Sequence, residues 1–203
     1  YKLGDEFKAN VSLNPFQSFF SSLQFRQIGY DSVATSKYYP LLKEYYDLSD
    51  TPGLQFKRTL PASNISNTPN VVLVICESFS ASKSSMCGNG LHTTPFFDSL
   101  SRQGAYFSRC FVPAFGTARG VWATLTGIPD VQEITTASRN PSLVKQHILI
   151  NDFEHYNKFY FLGGSTTWAN IRGLLKNNID SLQIFEQDQF SSKKEDVWGI
   201  SDK

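Results

Sequence analysis

Glu77 and Thr117 are the two side chains in this sequence whose types and spacing best suit a shared reaction. The run Val71-Val72-Leu73-Val74-Ile75-Cys76 is apolar and stops abruptly at Glu77-Ser78. Forty residues after Glu77 comes Phe115-Gly116-Thr117-Ala118-Arg119-Gly120, followed by an apolar helical pattern. A carboxylate at the end of a buried strand and a hydroxyl in a glycine-flanked turn opening a helix are half of a metal-assisted phosphoryl-transfer site. Such chemistry needs an anionic ligand for a cation and an oxygen nucleophile that the cation acidifies.

Each residue also has a plainer reading. Glu77 is either a ligand at a strand edge or a solvated loop acid, since charges are usually wet. Thr117 is either a nucleophile or an ordinary helix N-cap, a position Thr fills well. Gly116 permits the tight turn and Gly120 a close backbone approach, and the free N–H groups of the following helix suit a phosphate. Arg119, in the first turn, either faces phosphate oxygens or lies in a surface salt bridge. Trp168, Asn170 and Arg172 follow the glycine turn Gly163-Gly164, where substrate groups collect in parallel sheets. They hold either a phosphate or polyol, or a helix start with a packed Trp. His92, His147 and His155 form no metal-spaced pair. His147 and His155 read as surface residues, and His92 is the one close in sequence to Glu77.

The elements that must position these residues alternate. Residues 71–76 read as a central parallel strand buried on both faces. A helix starts at Thr94-Pro95, carries Phe96, Phe97 and Leu100, and ends at Gly104. Residues 105–112 read as a second strand and 118–126 as a helix, closed by Gly127-Ile128-Pro129. A helix is expected over 142–156, with Leu149, Phe153 and Tyr156 on one stripe. A strand follows over 158–162, then a helix over 168–177 and a short strand over 181–185. This alternation predicts an α/β fold, a three-layer sandwich with a mostly parallel central sheet. Residues 1–69 differ. Asn14-Pro15 opens a helix with Phe16, Phe19, Phe20 and Leu23 at i, i+3, i+4, i+7. A second helix covers 36–46 with Tyr38, Leu41, Leu42 and Tyr45 inward. These helices either pack onto the main domain or lie near a bilayer, with aromatic rings at the interface. Residues 47–70, with Pro52-Gly53 and Pro61, have linker composition.

Composition narrows the class. The 203 residues suit one domain with an appendage, and 40% hydrophobic content with 17 Phe and 9 Tyr is enough for a core. A net charge of +1 with scattered Lys and Arg argues against a nucleic-acid partner. No run reaches the length of a membrane span. No secretory leader is visible, and the chain opens at Tyr1 like an excised piece. Cys76, Cys87 and Cys110 fit no zinc spacing. Cys76 and Cys110 read as core thiols, and a Cys87–Cys110 disulfide remains open.

Taken together, Val-Ile-Cys-Glu-Ser-Phe at 74–79, Thr-Thr-Pro-Phe-Phe-Asp-Ser-Leu at 93–100, Gly-Thr-Ala-Arg-Gly at 116–120 and Leu-Thr-Gly-Ile-Pro-Asp at 125–130 resemble the sulfatase-type branch of the alkaline phosphatase superfamily. More narrowly they resemble the lipoteichoic acid synthase and phosphoglycerol transferase group. Tyr-Phe-Leu-Gly-Gly-Ser at 160–165 and Val-Trp-Gly-Ile-Ser-Asp at 197–202 fit the same group. The resemblance implies that residues 70–203 are the N-terminal part of a sulfatase-like catalytic domain, and that 1–69 are a helical juxtamembrane and linker segment. It implies Glu77 as a metal ligand and Thr117 as the nucleophile touching the same ion. That ion is one divalent cation, Mn2+ ahead of Mg2+ or Zn2+. Trp168, Asn170 and Arg172 match a Trp-Asn-Arg stretch that holds glycerol phosphate in relatives, with inserted residues, and Arg119 joins them as a substrate-binding candidate.

The implied reaction moves phosphoglycerol from a phospholipid head group to a glycan or lipid acceptor. The implied place is the extracytoplasmic side of a cell membrane, held by transmembrane helices outside this chain. A phosphoethanolamine transferase, another phosphodiester or sulfuric ester hydrolase of the superfamily, and a non-catalytic envelope domain are the alternatives. There are two departures. Thr117 stands where formylglycine sulfatases carry the Cys or Ser of Cys/Ser-x-Pro-x-Arg, which argues against sulfate hydrolysis by that route. No Asp-His dipeptide occurs, and no His follows His155, so residues 1–203 alone are expected not to turn over.

Overall fold

The computed structural model describes residues 15–23, 31–56, 58, 68–131, 136–192, 194–196 and 198–201. Asn14, Pro61 with most of the linker around it, and Val197 and Asp202 of the last motif lie outside them. The chain divides into two units, Tyr1–Leu73 and Val74–Lys203.

In the first unit, α1 spans Pro15–Leu23 and exposes Phe16, Phe19, Phe20 and Leu23. Helix α2 spans Ser32–Tyr46, longer at its start than the sequence pattern predicts. Asp31 explains the extension: its Oδ1 accepts from the backbone N–H of Val33 at 3.0 Å and Ala34 at 2.9 Å, satisfying two otherwise orphaned donors. The helix stops at Asp47, which adopts the left-handed conformation. The predicted inward face is corrected, because Tyr38, Leu41 and Tyr45 are exposed. The face that carries contacts is centred on Tyr39. Its hydroxyl donates to the Gln55 carbonyl at 2.6 Å and its ring meets Phe56 edge-on, so a tyrosine with a polar handle won over the purely apolar stripe.

In the second unit, α3 is Pro95–Gln103, α4 Thr117–Thr126 and α5 Ile171–Asn178; β1 is Phe159–Phe161 and β2 Gln183–Phe185. Strands β1 and β2 pair in parallel, with Phe159 opposite Gln183 and Phe161 opposite Phe185, and α5 lies in the connection between them. This is a βαβ unit, the building block of parallel sheets. A second, antiparallel pair joins β3 (Lys194–Asp196) to β4 (Gly199–Ile200). The core lies between α4, α5 and the βαβ unit. Trp122, Val121 and Leu125 of α4 join Ile171, Leu174 and Leu175 of α5, with Ile148, Ile179 and Leu182. Gly127 ends α4 with φ 71°, a conformation that costs glycine little.

Four sequence expectations are corrected. Residues 71–76 form no strand, and their side chains are exposed, Val72 at 83%. A parallel strand acquires structure only from neighbours, and among the described residues β1–β2 is the only parallel pair. Residues 105–112 are interrupted by a turn at Ser108-Arg109, where the Cys110 N–H bonds the Phe107 carbonyl at 3.3 Å. Cys76 and Cys110 are accordingly exposed, not core thiols, and neither they nor Cys87 form a disulfide. The helix expected over 142–156 shrinks to a 3-10 turn at Leu149–Asp152. Asn178 takes over the backbone groups a helix would have used. Its Oδ1 accepts from Gln146 N–H at 2.8 Å and its Nδ2 donates to the Val144 carbonyl at 2.7 Å. The described strands form two sheets, a small parallel pair and an antiparallel pair, within an α/β fold, and do not by themselves make up three layers.

One sequence motif pair is explained by close packing. The Ile200 N–H bonds the Gly163 carbonyl at 2.8 Å. A Cβ on Gly199, which has φ 128°, would fall 1.9 Å from that carbonyl oxygen, and one on Gly164 would fall 2.8 Å from the Trp198 carbonyl. Gly-Gly at 163–164 and Gly199 are therefore required by backbone approach.

Candidate active site

Thr117 is the first residue of α4, and Gly116, with φ 84°, occupies the cap position without a side chain to offer. The Thr117 hydroxyl caps nothing. It donates instead to Glu77 Oε1 at 2.5 Å, across forty residues of sequence. Glu77 lies in a turn whose next residue, Ser78, adopts φ 55°, so the chain bends sharply just beyond the carboxylate. The two side chains singled out by type and spacing are thus in direct contact.

Arg119 sits one half-turn further along α4, and its guanidinium is committed. Nη1 donates to the Asp130 carbonyl oxygen at 3.0 Å and lies 3.7 Å from Asp130 Oδ1. The guanidinium also lies over the Phe115 ring, 5.3 Å from its centroid. The Asp130 side chain is fully buried, and its Oδ2 accepts from the Ala137 N–H at 2.8 Å.

Trp168 and Asn170 lie on one tight turn between β1 and α5, and Arg172 is in the first turn of α5. Trp168 is 51% exposed. Ala169 (φ 54°) and Asn170 (φ 56°) are consecutive left-handed residues, neither a glycine, and such a pair costs energy that its surroundings must offset. Ser138 does so from both ends: its Oγ donates to the Ala169 carbonyl at 2.7 Å, and its carbonyl accepts from Asn170 Nδ2 at 2.7 Å. Arg172 Nη2 pairs with Glu186 Oε2. Glu186 Oε1 accepts from the Thr166 N–H at 2.8 Å and from the Thr166 hydroxyl. Glu186 directly follows β2, at the carboxyl edge of the parallel pair where ligands bind in such sheets.

Sequence reasoning missed Glu186, Ser138, Asp130 and Asp98. Glu186 carried the same signal as Glu77, an acid immediately after a strand. Asp98 sits in the first turn of α3, buried, with Oδ1 accepting from Ser84 Oγ at 2.6 Å and Thr94 Oγ1 at 3.0 Å and Oδ2 accepting from Ser85 Oγ. The Ser84 and Ser85 hydroxyls hold its pKa down to about 2 against the opposing effect of burial. Asp98 thereby ties the loop after Glu77 to α3. Of the histidines, His147 pairs with Asp152 at 3.3 Å on the surface, His155 is exposed, and His92 is exposed with φ 48°. A cleft of about 550 Å3 opens beside Lys158 and Ser181. Those residues precede β1 and β2 and so mark the opposite, amino edge.

An acid–hydroxyl contact at a helix start and polar side chains at the carboxyl edge of a βαβ unit are arranged as a ligand site in an α/β fold would be. The Sulfatase family model matches residues 69–198, well over half of the chain, and the chain belongs to that family. No curated protein and no solved structure matches the chain. Sulfatase-family domains generally use a metal ion. Glu77 Oε1 and Thr117 Oγ1 fit a hard divalent cation in kind, both being oxygen donors already in contact. They fall short in number, since no group of three His, Cys, Asp or Glu is gathered among the described residues.

Proposed function

We propose that the chain carries the nucleophile half of a phosphoglycerol transferase-like site, acting on a phospholipid head group at the extracytoplasmic face of a membrane. The reading is carried by one observation, the 2.5 Å hydrogen bond from Thr117 Oγ1 to Glu77 Oε1. A Thr hydroxyl at a helix start would normally cap its own helix. Here it is turned to a carboxylate brought from far along the chain, as an activated nucleophile requires.

Glu77 and Thr117 would hold the divalent cation together with further ligands that are not gathered among the described residues. When bound, the cation lowers the pKa of the hydroxyl and offsets charge on the phosphoryl oxygens. In the chain itself, Glu77 fixes the direction of the Thr117 O–H and offers its proton an acceptor. Oγ1 attacks phosphorus, an Oγ1–P bond forms, and the P–O bond to diacylglycerol breaks, the departing alkoxide taking a proton from water. The backbone N–H groups of the first turn of α4, uncapped by any side chain, face the phosphoryl oxygens. Trp168 and Arg172 bind the glycerol phosphate, and Asn170, its amide held by the Ser138 carbonyl, fixes the turn beside them. Attack by an acceptor hydroxyl on a glycan or lipid then forms the new O–P bond and breaks Oγ1–P; the acceptor's proton passes to the hydroxide left by the first step, and Oγ1 regains its proton from Glu77, which restores Thr117.

The test is turnover of fluorescently acylated phosphatidylglycerol in detergent micelles by the complete protein, with mass spectrometry of the Thr117 peptide. Thr117→Ala is expected to lower turnover by about a thousandfold or more. The unsubstituted protein is expected to carry glycerol phosphate on Thr117. An ethanolamine phosphate adduct from phosphatidylethanolamine would move the assignment to a phosphoethanolamine transferase. Unchanged turnover in Thr117→Ala, or no adduct and no turnover at all, would refute the transfer reading and leave a non-catalytic envelope domain.

A further inference from the structure

We infer that Asp130 is a positioning residue: its buried carboxylate sets the placement of Thr117 relative to the Trp168–Arg172 turn. The inference rests on the transfer reading above and adds a residue with no part in it. Asp130 faces two ways. Toward α4, it receives Arg119 Nη1 on its carbonyl at 3.0 Å, with Oδ1 3.7 Å away. Arg119 is two residues from Thr117 in the same helical turn. Toward the other turn, Oδ2 accepts from Ala137 N–H at 2.8 Å. The neighbouring Ser138, itself fully buried, grips the left-handed pair Ala169–Asn170 through its hydroxyl and its carbonyl, both at 2.7 Å. The nucleophile's helix is thus linked by Arg119 to the Asp130 carbonyl and, as an ion pair, to its carboxylate, and that carboxylate holds the 3-10 turn whose Ser138 grips the strained turn carrying Trp168.

Two physical arguments make this more than a structural tie. A buried ion pair adds little net stability compared with apolar side chains of the same volume, because desolvation offsets the attraction. What a charge adds at such a place is direction, and direction matters at the two ends of this series. A left-handed non-glycine pair is also unfavourable on its own. It persists where its surroundings over-determine it, so loosening the Ser138 grip should let the turn relax and move Trp168 and Arg172. Displacement of reacting groups by about 1 Å lowers rate by about a hundredfold.

The test uses the complete protein and the phosphatidylglycerol micelle assay in single-turnover mode, following the Thr117 adduct by rapid quench and mass spectrometry. The rate constant reports geometry at the nucleophile, whereas the amplitude reports only the fraction of folded protein. Asp130→Asn keeps an acceptor for Ala137 and removes the charge facing Arg119. It is expected to lower the rate constant about tenfold to a hundredfold at near-full amplitude. Ser138→Ala, which loses the hydroxyl's bonds to the Ala169 carbonyl and to Thr136 Oγ1 but keeps the carbonyl that holds Asn170, is expected to raise KM about tenfold with kcat changed less than about threefold. Arg119→Gln combined with Asp130→Asn should be no slower than Arg119→Gln alone, since losing the guanidinium already removes the ion pair that Asp130→Asn weakens. A rate constant within twofold of the parent in Asp130→Asn, with only amplitude lost, would overturn the inference. If Asp130→Asn does not fold, unchanged KM in Ser138→Ala overturns it equally. Failure here alone leaves Thr117→Ala inactive and the parent adduct present; failure of the transfer reading removes the adduct from the parent and takes this inference with it.

Discussion

Residues 74–116 and residues 117–200 are held together by different physics. Among the described residues, every buried apolar side chain lies between Ala118 and Leu182. In the earlier stretch the only buried residues are Ser84 and Asp98, both polar and bonded to each other. The later stretch can satisfy itself locally: α4, α5 and the β1–β2 pair bury one another's faces. The earlier stretch is rich in strand-forming residues, and a strand is stabilised by neighbours it does not carry within itself. The candidate reactive pair spans the two. Thr117 is placed by the apolar core beneath α4, and Glu77 by a turn in the stretch organised around a single carboxylate. Burial fixes the nucleophile, and a polar network fixes the loop after its partner.

The sharpest way to break this contrast is to damage the core. Leu174 is fully buried between α4 and the βαβ unit. Leu174→Ala should lower unfolding stability by about 2–5 kcal/mol, the removed transfer free energy plus a cavity. Urea unfolding followed by the fluorescence of buried Trp122 would measure it. A loss below about 1 kcal/mol would mean that the later stretch is not held by its core, and the distinction between the two regions would fall.

A smaller and differently shaped effect is expected at Asp98. Its carboxyl is held down to about 2 in the folded chain by the Ser84 and Ser85 hydroxyls, against about 4 when unfolded. A carboxylate with a depressed folded pKa contributes stability above its unfolded pKa, and that contribution fades as pH falls toward the folded value. Asp98→Asn should therefore be less stable than the parent at pH 5–7, and the two should converge between about pH 4 and about pH 2. Thermal melts across that range would show it, with hydrogen exchange at Met86, whose N–H bonds Ser84 Oγ, reporting the local part. A gap between parent and variant that stays constant down to pH 2 would contradict the assignment of the anchoring role to the ionised carboxylate.

What was legible in the sequence follows the same division. Helices that carry their own punctuation were readable: Pro95 and Gly104 around α3, Gly116 and Gly127 around α4. The strand–glycine–helix–strand series over 158–185 was readable because its partners are close in sequence, and the contact between Glu77 and Thr117 lay within reach of residue type and spacing. Residues 71–76 misled because β-propensity reports fitness for a sheet and not its presence. Residues 142–156 misled because one polar side chain, Asn178, redirected their backbone hydrogen bonds, and a periodicity count contains no such partner. The supporting acids Asp98, Asp130 and Glu186 were invisible for a related reason. An acid in a sequence reads as solvated by default, and only the fold shows that two of these three are buried and the third nearly so.

The least effect is expected where the earlier stretch looks most like a core. Phe107 and Phe111 are 76% and 83% exposed. Phenylalanines in a run of this kind would ordinarily be assigned to burial, and their replacement would be expected to cost several kcal/mol. Hydrophobic stabilisation scales with area removed from water, and rings already in water have little to lose. Phe111→Ser should therefore change unfolding stability by no more than about 0.5 kcal/mol, at most about a quarter of the effect of Leu174→Ala. The same urea titration, run at two protein concentrations, makes the comparison quantitative. A loss above about 1 kcal/mol that grows with concentration would mean that a second copy covers the ring. A loss of that size independent of concentration would mean that the chain itself covers it, and the two stretches would then differ in sequence pattern but not in how they are held.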